Sequence, residues 1–270
     1  MSFLIPPRKK NHSVLGGASP GVIVETALSR YRSLPRPSSN NLHCYFLLSL
    51  MHFLVKDLLI TQHGYEESAA HLVIEKFYLK LENGHPNSSM ERDVDKERTL
   101  LFELAIQETN GSKPDKGLAA ECYFLWKNTR LNHIHIPDEV KAMLRKLRQS
   151  YKLLLLTNGS SAVQREKINV CQCEQYFDVI VVGGEQREQK PASSIFQECF
   201  RLLEVKPGAC VMIGDDLKTD IKGGVNAGVT ATIWINNNNL KPDRDSAMPD
   251  YTVKSVLEVK DILENIKDKV

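Results

Sequence analysis

Leu153-Leu154-Leu155-Leu156-Thr157-Asn158-Gly159 is the stretch whose reading decides the fold. Two more blocks end an apolar run in polar residues. One is Gly183-Gly184-Glu185-Gln186-Arg187-Glu188-Gln189-Lys190-Pro191, which follows Val179 to Val182, and the other is Cys210-Val211-Met212-Ile213-Gly214-Asp215-Asp216-Leu217-Lys218-Thr219-Asp220. Short apolar runs that end in a hydroxyl, an ammonium or a carboxylate are what a parallel sheet shows when its chemistry sits at the strand C-termini. A phosphate and a divalent cation suit this set of groups.

Outward from these blocks, strand and helix alternate. Pro137-Asp138 opens a helix, because Val140, Met143, Leu144 and Leu147 follow at one-face helical spacing. Strands are predicted at 153–156, 179–182, 210–213 and 230–235, and helices at 161–170, 193–203 and 219–227, with a terminal helix within 253–266. That rhythm predicts an α/β fold with a doubly wound parallel sheet. Residues 54–136 show only helical periodicity, broken near Gly64 and at Asn83 to Ser89, and read as an inserted all-helical module. Trp126, Tyr123 and Phe124 within it read as core.

Residues 1–41 are different: six Lys or Arg, one acid (Glu25), five Pro and seven Ser, with no sustained period. This is the composition of a loop or disordered arm. It shares the basic, acid-poor character of a transit peptide but lacks an Arg-bearing amphipathic helix. Leu42 to Val55 is apolar but too short for a membrane span and reads as a buried helix. The expected organisation is an arm and apolar segment over 1–53, a helical module over 54–136 and an α/β core over 137–270.

Composition excludes several classes. A net charge of +2 with basic and acidic residues interleaved gives no field for nucleic acid, so a small-molecule partner is expected. Six cysteines in 270 residues fall far short of a disulfide framework and fit reduced thiols in the cytoplasm. Cys171-Gln172-Cys173 could offer two thiolates, but no second Cys or His pair stands at zinc-site spacing, so it reads as a helix end.

Three blocks carry the chemistry. Thr157 and Asn158 precede a helix, which aims a hydroxyl and backbone N–H groups at an anion. Lys190 puts an ammonium at the same rim. Asp215, Asp216 and Asp220 crowd three carboxylates into one strand-to-helix turn, which a hard cation such as Mg²⁺ would offset. Asp216 is read as solvated and Asp220 in part as a cap of the next helix, which leaves Asp215 as the carboxylate for the cation.

With the Thr157 block, Lys190 and Gly214-Asp215-x-x-x-x-Asp220 in that order, the chain resembles the haloacid dehalogenase-like hydrolases. The resemblance is most specific after Ala105, in Ala119 to Lys127, the leucine block and Val181 to Arg187. It implies a Mg²⁺-dependent phosphatase acting on a phosphorylated sugar acid, a sialic acid 9-phosphate, through an aspartyl-phosphate intermediate. By that analogy Thr157, Asn158 and Lys190 hold the phosphate, Lys190 also neutralises charge on the transferring group, and Asp215 holds the metal with Asp220 as second ligand or brace. The helical module would be a cap that closes over the sugar.

One family element is missing. The nucleophile of these enzymes lies in an Asp-x-Asp-x-Thr block that ends the first, central strand, and this chain has no aspartate before Asp57. Asp93-Val94-Asp95 and Asp243-Arg244-Asp245 follow no apolar run and read as solvated loops. Pro35 and Pro37 exclude a central strand where the block is expected. A missing central strand would forfeit about 8 to 15 kcal/mol of burial, at ~1.5 to 3 kcal/mol for each of about five side chains. Val22 to Val24 is the leading substitute, with Glu25 standing at the nucleophile position but no second acid after it. The simplest expectation is a different first segment joined to a phosphatase body. Two rivals are a non-catalytic phosphosugar binder and a phosphatase for another small metabolite.

Overall fold

The computed structural model describes residues 21–23, 42–83, 93–112 and 116–267. The chain divides into two compact units, Met1–Ser29 with His135–Val270, and Arg30–Ile134.

The first unit is built on a six-stranded parallel sheet in the order β3-β2-β1-β4-β5-β6. Its strands are β1 (Gly21–Ile23), β2 (Leu153–Thr157), β3 (Val179–Val182), β4 (Cys210–Gly214), β5 (Ala231–Ile235) and β6 (Tyr251–Val253). Every residue of β2, β4 and β5 is buried, as an inner strand with helices on both faces requires. Helices α5 (Asp138–Arg148), α6 (Ser161–Val170), α7 (Ser193–Leu203), α8 (Lys222–Ala227) and α9 (Val259–Lys267) complete the alternation, with α6 and α7 against β3 and α8 against β5. The start of β2 is pinned by Asp178, whose carboxylate accepts from Leu153 N at 2.9 Å and Arg148 Nε at 3.0 Å.

The centre of the sheet is filled. Ile23 pairs with Leu154 on one side and Met212 on the other, so the short β-branched run at Val22 takes the place between the Thr157 strand and the Asp215 strand. The predicted gap is closed by three residues whose backbone is hydrogen-bonded on both sides. Glu25 lies outside the described residues, as do positions 35–40. The edge strand β6 was not expected: it is only three residues long and directly follows Pro249-Asp250.

The second unit is four helices, α1 (Leu42–Thr61), α2 (Glu67–Asn83), α3 (Val94–Asn110) and α4 (Lys116–His133). A domain boundary at 53/54 therefore falls inside α1, whose Leu47, Met51, Val55 and Leu59 all enter one apolar cluster with Phe77, Phe102, Tyr123 and Trp126. Phe77 and Phe102 stack at 3.8 Å between ring centroids, and Trp126 meets Phe77 edge-on at 5.5 Å. Phe124 is half exposed and is not part of that core. The Asp93 and Asp95 pair is no solvated loop. Asp93 caps α3 by accepting from Lys96 N, and Asp95 accepts from Lys127 Nζ at 2.8 Å on both oxygens and from Tyr123 Oη at 2.5 Å. The Asp243 pair does lie in a turn at the surface.

Val22→Pro is expected to lower stability by about 2 to 3 kcal/mol, because it removes a ladder donor from a strand paired on both sides. Calorimetry should show a lower, broader transition. An unchanged transition would mean that the core closes without β1.

Candidate active site

The three blocks converge at one rim of the sheet. Thr157 ends β2, Gly214 ends β4, and Lys190 follows the turn after β3, so all three lie at strand C-termini, where α/β sheets hold their ligands. Lys190 and Asp220 form the centre. Their side chains are each 1% exposed, and Lys190 Nζ stands 2.7 Å from Asp220 Oδ1 while donating to the Leu156 carbonyl at 3.0 Å. Burial raises the Asp220 carboxyl, but the charge and hydrogen bond of the Lys190 ammonium, with the Asp216 N–H among the further contributions, hold the group below the usual carboxylate range.

The loop that carries Lys190 is held by a reciprocal clasp. Asn158 Nδ2 donates to the Lys190 carbonyl at 2.8 Å, and Lys190 N donates to Asn158 Oδ1 at 2.9 Å. The Asn158 side chain is thus engaged in positioning the loop. The Lys190-Pro191 peptide is cis. Gly159 N donates to Gln189 Oε1 at 2.9 Å, a second tie between the same two loops. Gly184 is required here, since a Cβ would lie 2.4 Å from the Gly159 carbonyl oxygen. Glu185 then anchors α6 by accepting from Ser161 Oγ and Arg165.

The carboxylate cluster resolves into three roles. Asp216 is the cap: its Oδ1 accepts from Lys218 N at 2.8 Å and Thr219 N at 2.9 Å at the start of a π-helical turn, Leu217–Ile221. That reverses the assignment of a solvated Asp216 and a capping Asp220. Asp220 turns inward instead, and its Oδ2 accepts from Asp216 N at 3.1 Å. Gly214 makes room for it, because a Cβ there would stand 2.4 Å from Asp220 Cβ. With Oδ1 on Lys190 and Oδ2 on the Asp216 amide, the geometry of Asp220 is that of a brace. Asp215 follows β4 directly, and its carbonyl accepts from Trp234 Nε1 at 3.0 Å, a tie to β5 with no sequence signal.

Among the described residues no group of three or more His, Cys, Asp or Glu side chains is arranged to hold a metal. Mg²⁺ takes one or two carboxylates and completes its shell with water and phosphate oxygens, so a single strand-tip carboxylate at Asp215 fits it. Cys122, Cys171, Cys173, Cys199 and Cys210 are free and buried.

This rim, on this strand order, defines a class. A family model for haloacid dehalogenase-like hydrolases matches residues 69–234, and the chain belongs to that family. Within it the chain is similar to N-acylneuraminate-9-phosphatase of Homo sapiens, 52% identical over 79% of this chain and 85% of that protein. The Mus musculus protein of the same name is 53% identical over the same shares. These relatives mark the chain as a phosphatase-type member. The fold is also that of the Bacillus subtilis HAD-hydrolase YfnB bound to magnesium, with a TM-score of 0.54 at 22% identity over 80% of this chain and 92% of that one.

Asp220→Asn is expected to destabilise by about 3 to 5 kcal/mol, because it leaves the Lys190 ammonium buried without its counter-charge. The folded carboxyl titrates below its unfolded value, so its contribution is full above about pH 4 and is lost as the pH falls further, through the folded pKa. Denaturant titrations between about pH 5 and 2 should show a slope that Asp220→Asn flattens. An equal slope in the variant would mean that the pair adds nothing.

Proposed function

We propose that this chain is a phosphatase scaffold for N-acylneuraminate 9-phosphate, working with Mg²⁺ in the cytoplasm, and that as written it hydrolyses the ester at no useful rate. The buried Lys190–Asp220 pair at the rim, between Thr157 and Asp215, carries this reading. The similarity to the human and mouse phosphatases supports the substrate.

The Thr157 hydroxyl and the Asn158 backbone N–H hold phosphate oxygens, and Lys190 offsets negative charge on the phosphoryl group. Asp220 fixes the ammonium in place, and Asp215 holds the cation. Mg²⁺, when bound, supplies further charge stabilisation at the phosphoryl oxygens. The remaining requirement is a carboxylate nucleophile with a second acid two residues on, and no aspartate precedes Asp57. A water cannot take over that covalent step readily. This absence favours a second reading for the chain as written, a phosphosugar binder without turnover. No described helix is long and apolar enough to cross a membrane.

Purified chain assayed with N-acetylneuraminate 9-phosphate and Mg²⁺ is expected to stay far below about one turnover per second. Replacing residues 1–41 by a first strand that ends in Asp-x-Asp-x-Thr, with α1 kept whole, is expected to create turnover. Lys190→Ala or Asp215→Ala should then remove at least about 100-fold of it. A graft that folds and binds Mg²⁺ yet stays inert would show that these residues are wrongly assigned.

A further inference from the structure

One peptide group at the rim is held at both ends. The Asp215–Asp216 peptide presents its carbonyl to Trp234 Nε1, which donates at 3.0 Å, and its N–H to Asp220 Oδ2, 3.1 Å away. Trp234 lies on β5 and Asp220 in the turn after β4, so the two holds come from different elements. Backbone pairing does not supply the first of them. The register of β4 with β5 ends where Gly214 faces Trp234, so Asp215 is the first residue past the ladder and a side chain takes over where pairing stops. Trp234 is 3% exposed, and an indole has a single donor. A carbonyl that swung away would therefore leave that N–H buried without its acceptor.

A peptide fixed at its oxygen and at its nitrogen has a fixed plane, because the group between them is planar. The ladder fixes the chain on the other side of Asp215, at Gly214, so the backbone torsions of Asp215 are set and its Cβ leaves the chain in one direction. Only the side-chain torsions then remain to aim the carboxylate. Mg²⁺ demands near-ideal octahedral geometry, so a carboxylate aimed in advance binds it better than one that must be ordered first. Asp216 cannot serve the ion without giving up its bonds to Lys218 N and Thr219 N. The amide end of the clamp is anchored through Asp220 to Lys190, and the carbonyl end through Trp234 to β5.

We infer that Trp234 is a positioning residue for the cation site: by holding the Asp215 carbonyl it sets the direction of the Asp215 carboxylate, and with it the affinity of the rim for a hard divalent cation. The inference rests on the reading of Asp215 as the cation's carboxylate. Trp234 acts through the backbone and supplies no ligand.

The test is titration of the full chain with Mn²⁺, the free ion being counted by its electron paramagnetic resonance signal, with Mg²⁺ added in competition. Trp234→Phe, which keeps an aromatic ring and loses the N–H, is expected to weaken Mn²⁺ binding about three- to tenfold. Asp215→Asn should weaken it about tenfold or more. Ile233→Val, a buried change on the same strand, is expected to lower the melting temperature and leave the affinity as it was, which separates aiming from general loosening. Thermal melting reports whether Trp234→Phe is folded. If it is not, replacing Trp234 by benzothienylalanine, which has the same shape with sulfur in place of N–H, is expected to give the same loss of affinity. A folded Trp234 variant that binds Mn²⁺ as tightly as the unmodified chain, while Asp215→Asn binds it weakly, would overturn the inference alone. Ile233→Val weakening the binding as much as Trp234→Phe would do the same. Unweakened binding by Asp215→Asn, or no uptake by the unmodified chain, would overturn the reading of Asp215 and the inference with it.

Discussion

An ammonium and a carboxylate sealed away from water, 2.7 Å apart, set the conditions for everything around them. Such a pair is tolerable only when both partners are held in place, because a small displacement leaves two desolvated charges that attract each other weakly. The structure meets that demand from three strands. Leu156 of β2 supplies a carbonyl to the ammonium, the Asn158 clasp fixes the loop after β3, and the missing Cβ of Gly214 lets Asp220 turn in beneath β4. A single electrostatic contact therefore joins the tips of strands that are distant in sequence. Rigidity at the rim follows from stability at the rim.

How much of this could be read beforehand differs by element, for physical reasons. The strands β2, β3 and β4 were legible because inner parallel strands need unbroken apolar runs, and so were the residues at their ends. Lys190 and Asp220 were legible as members of the site, but their contact was not, because 30 residues separate them and spacing carries no information at that range. The Asp216 and Asp220 roles came out reversed because the helical turn begins at Leu217, two residues earlier than the expected start, which makes Asp216 its N-cap and puts Asp220 inside the turn. Asp95 was misjudged for a related reason: its partner Lys127 lies 32 residues downstream, on another helix. The edge strand β6 has too few residues for any period to show.

The helical unit was legible in kind and less so in extent. Helical periodicity marked it as all-helical, and the buried aromatic residues Trp126 and Tyr123 were expected in a core. The start was set too late because Leu42 to Val55, although read as a buried helix, was grouped with the arm before it, whereas Leu47 and Met51 pack in one cluster with Phe77 and Phe102.

The position of β1 also has a bearing on how the chain is made. Its partners Leu154 and Met212 lie about 130 and 190 residues later, so the strand at the centre of the sheet is synthesised first and paired last. At the ~5 to 20 residues per second of protein synthesis it waits roughly ten to forty seconds for a place to go. Meanwhile the helical unit, whose contacts all fall within 105 consecutive residues, can close by itself on the ribosome. A three-residue strand is suited to such a wait. Val22 and Ile23 are too few to nucleate a stray sheet, yet enough to fit a slot whose two walls, β2 and β4, arrive later.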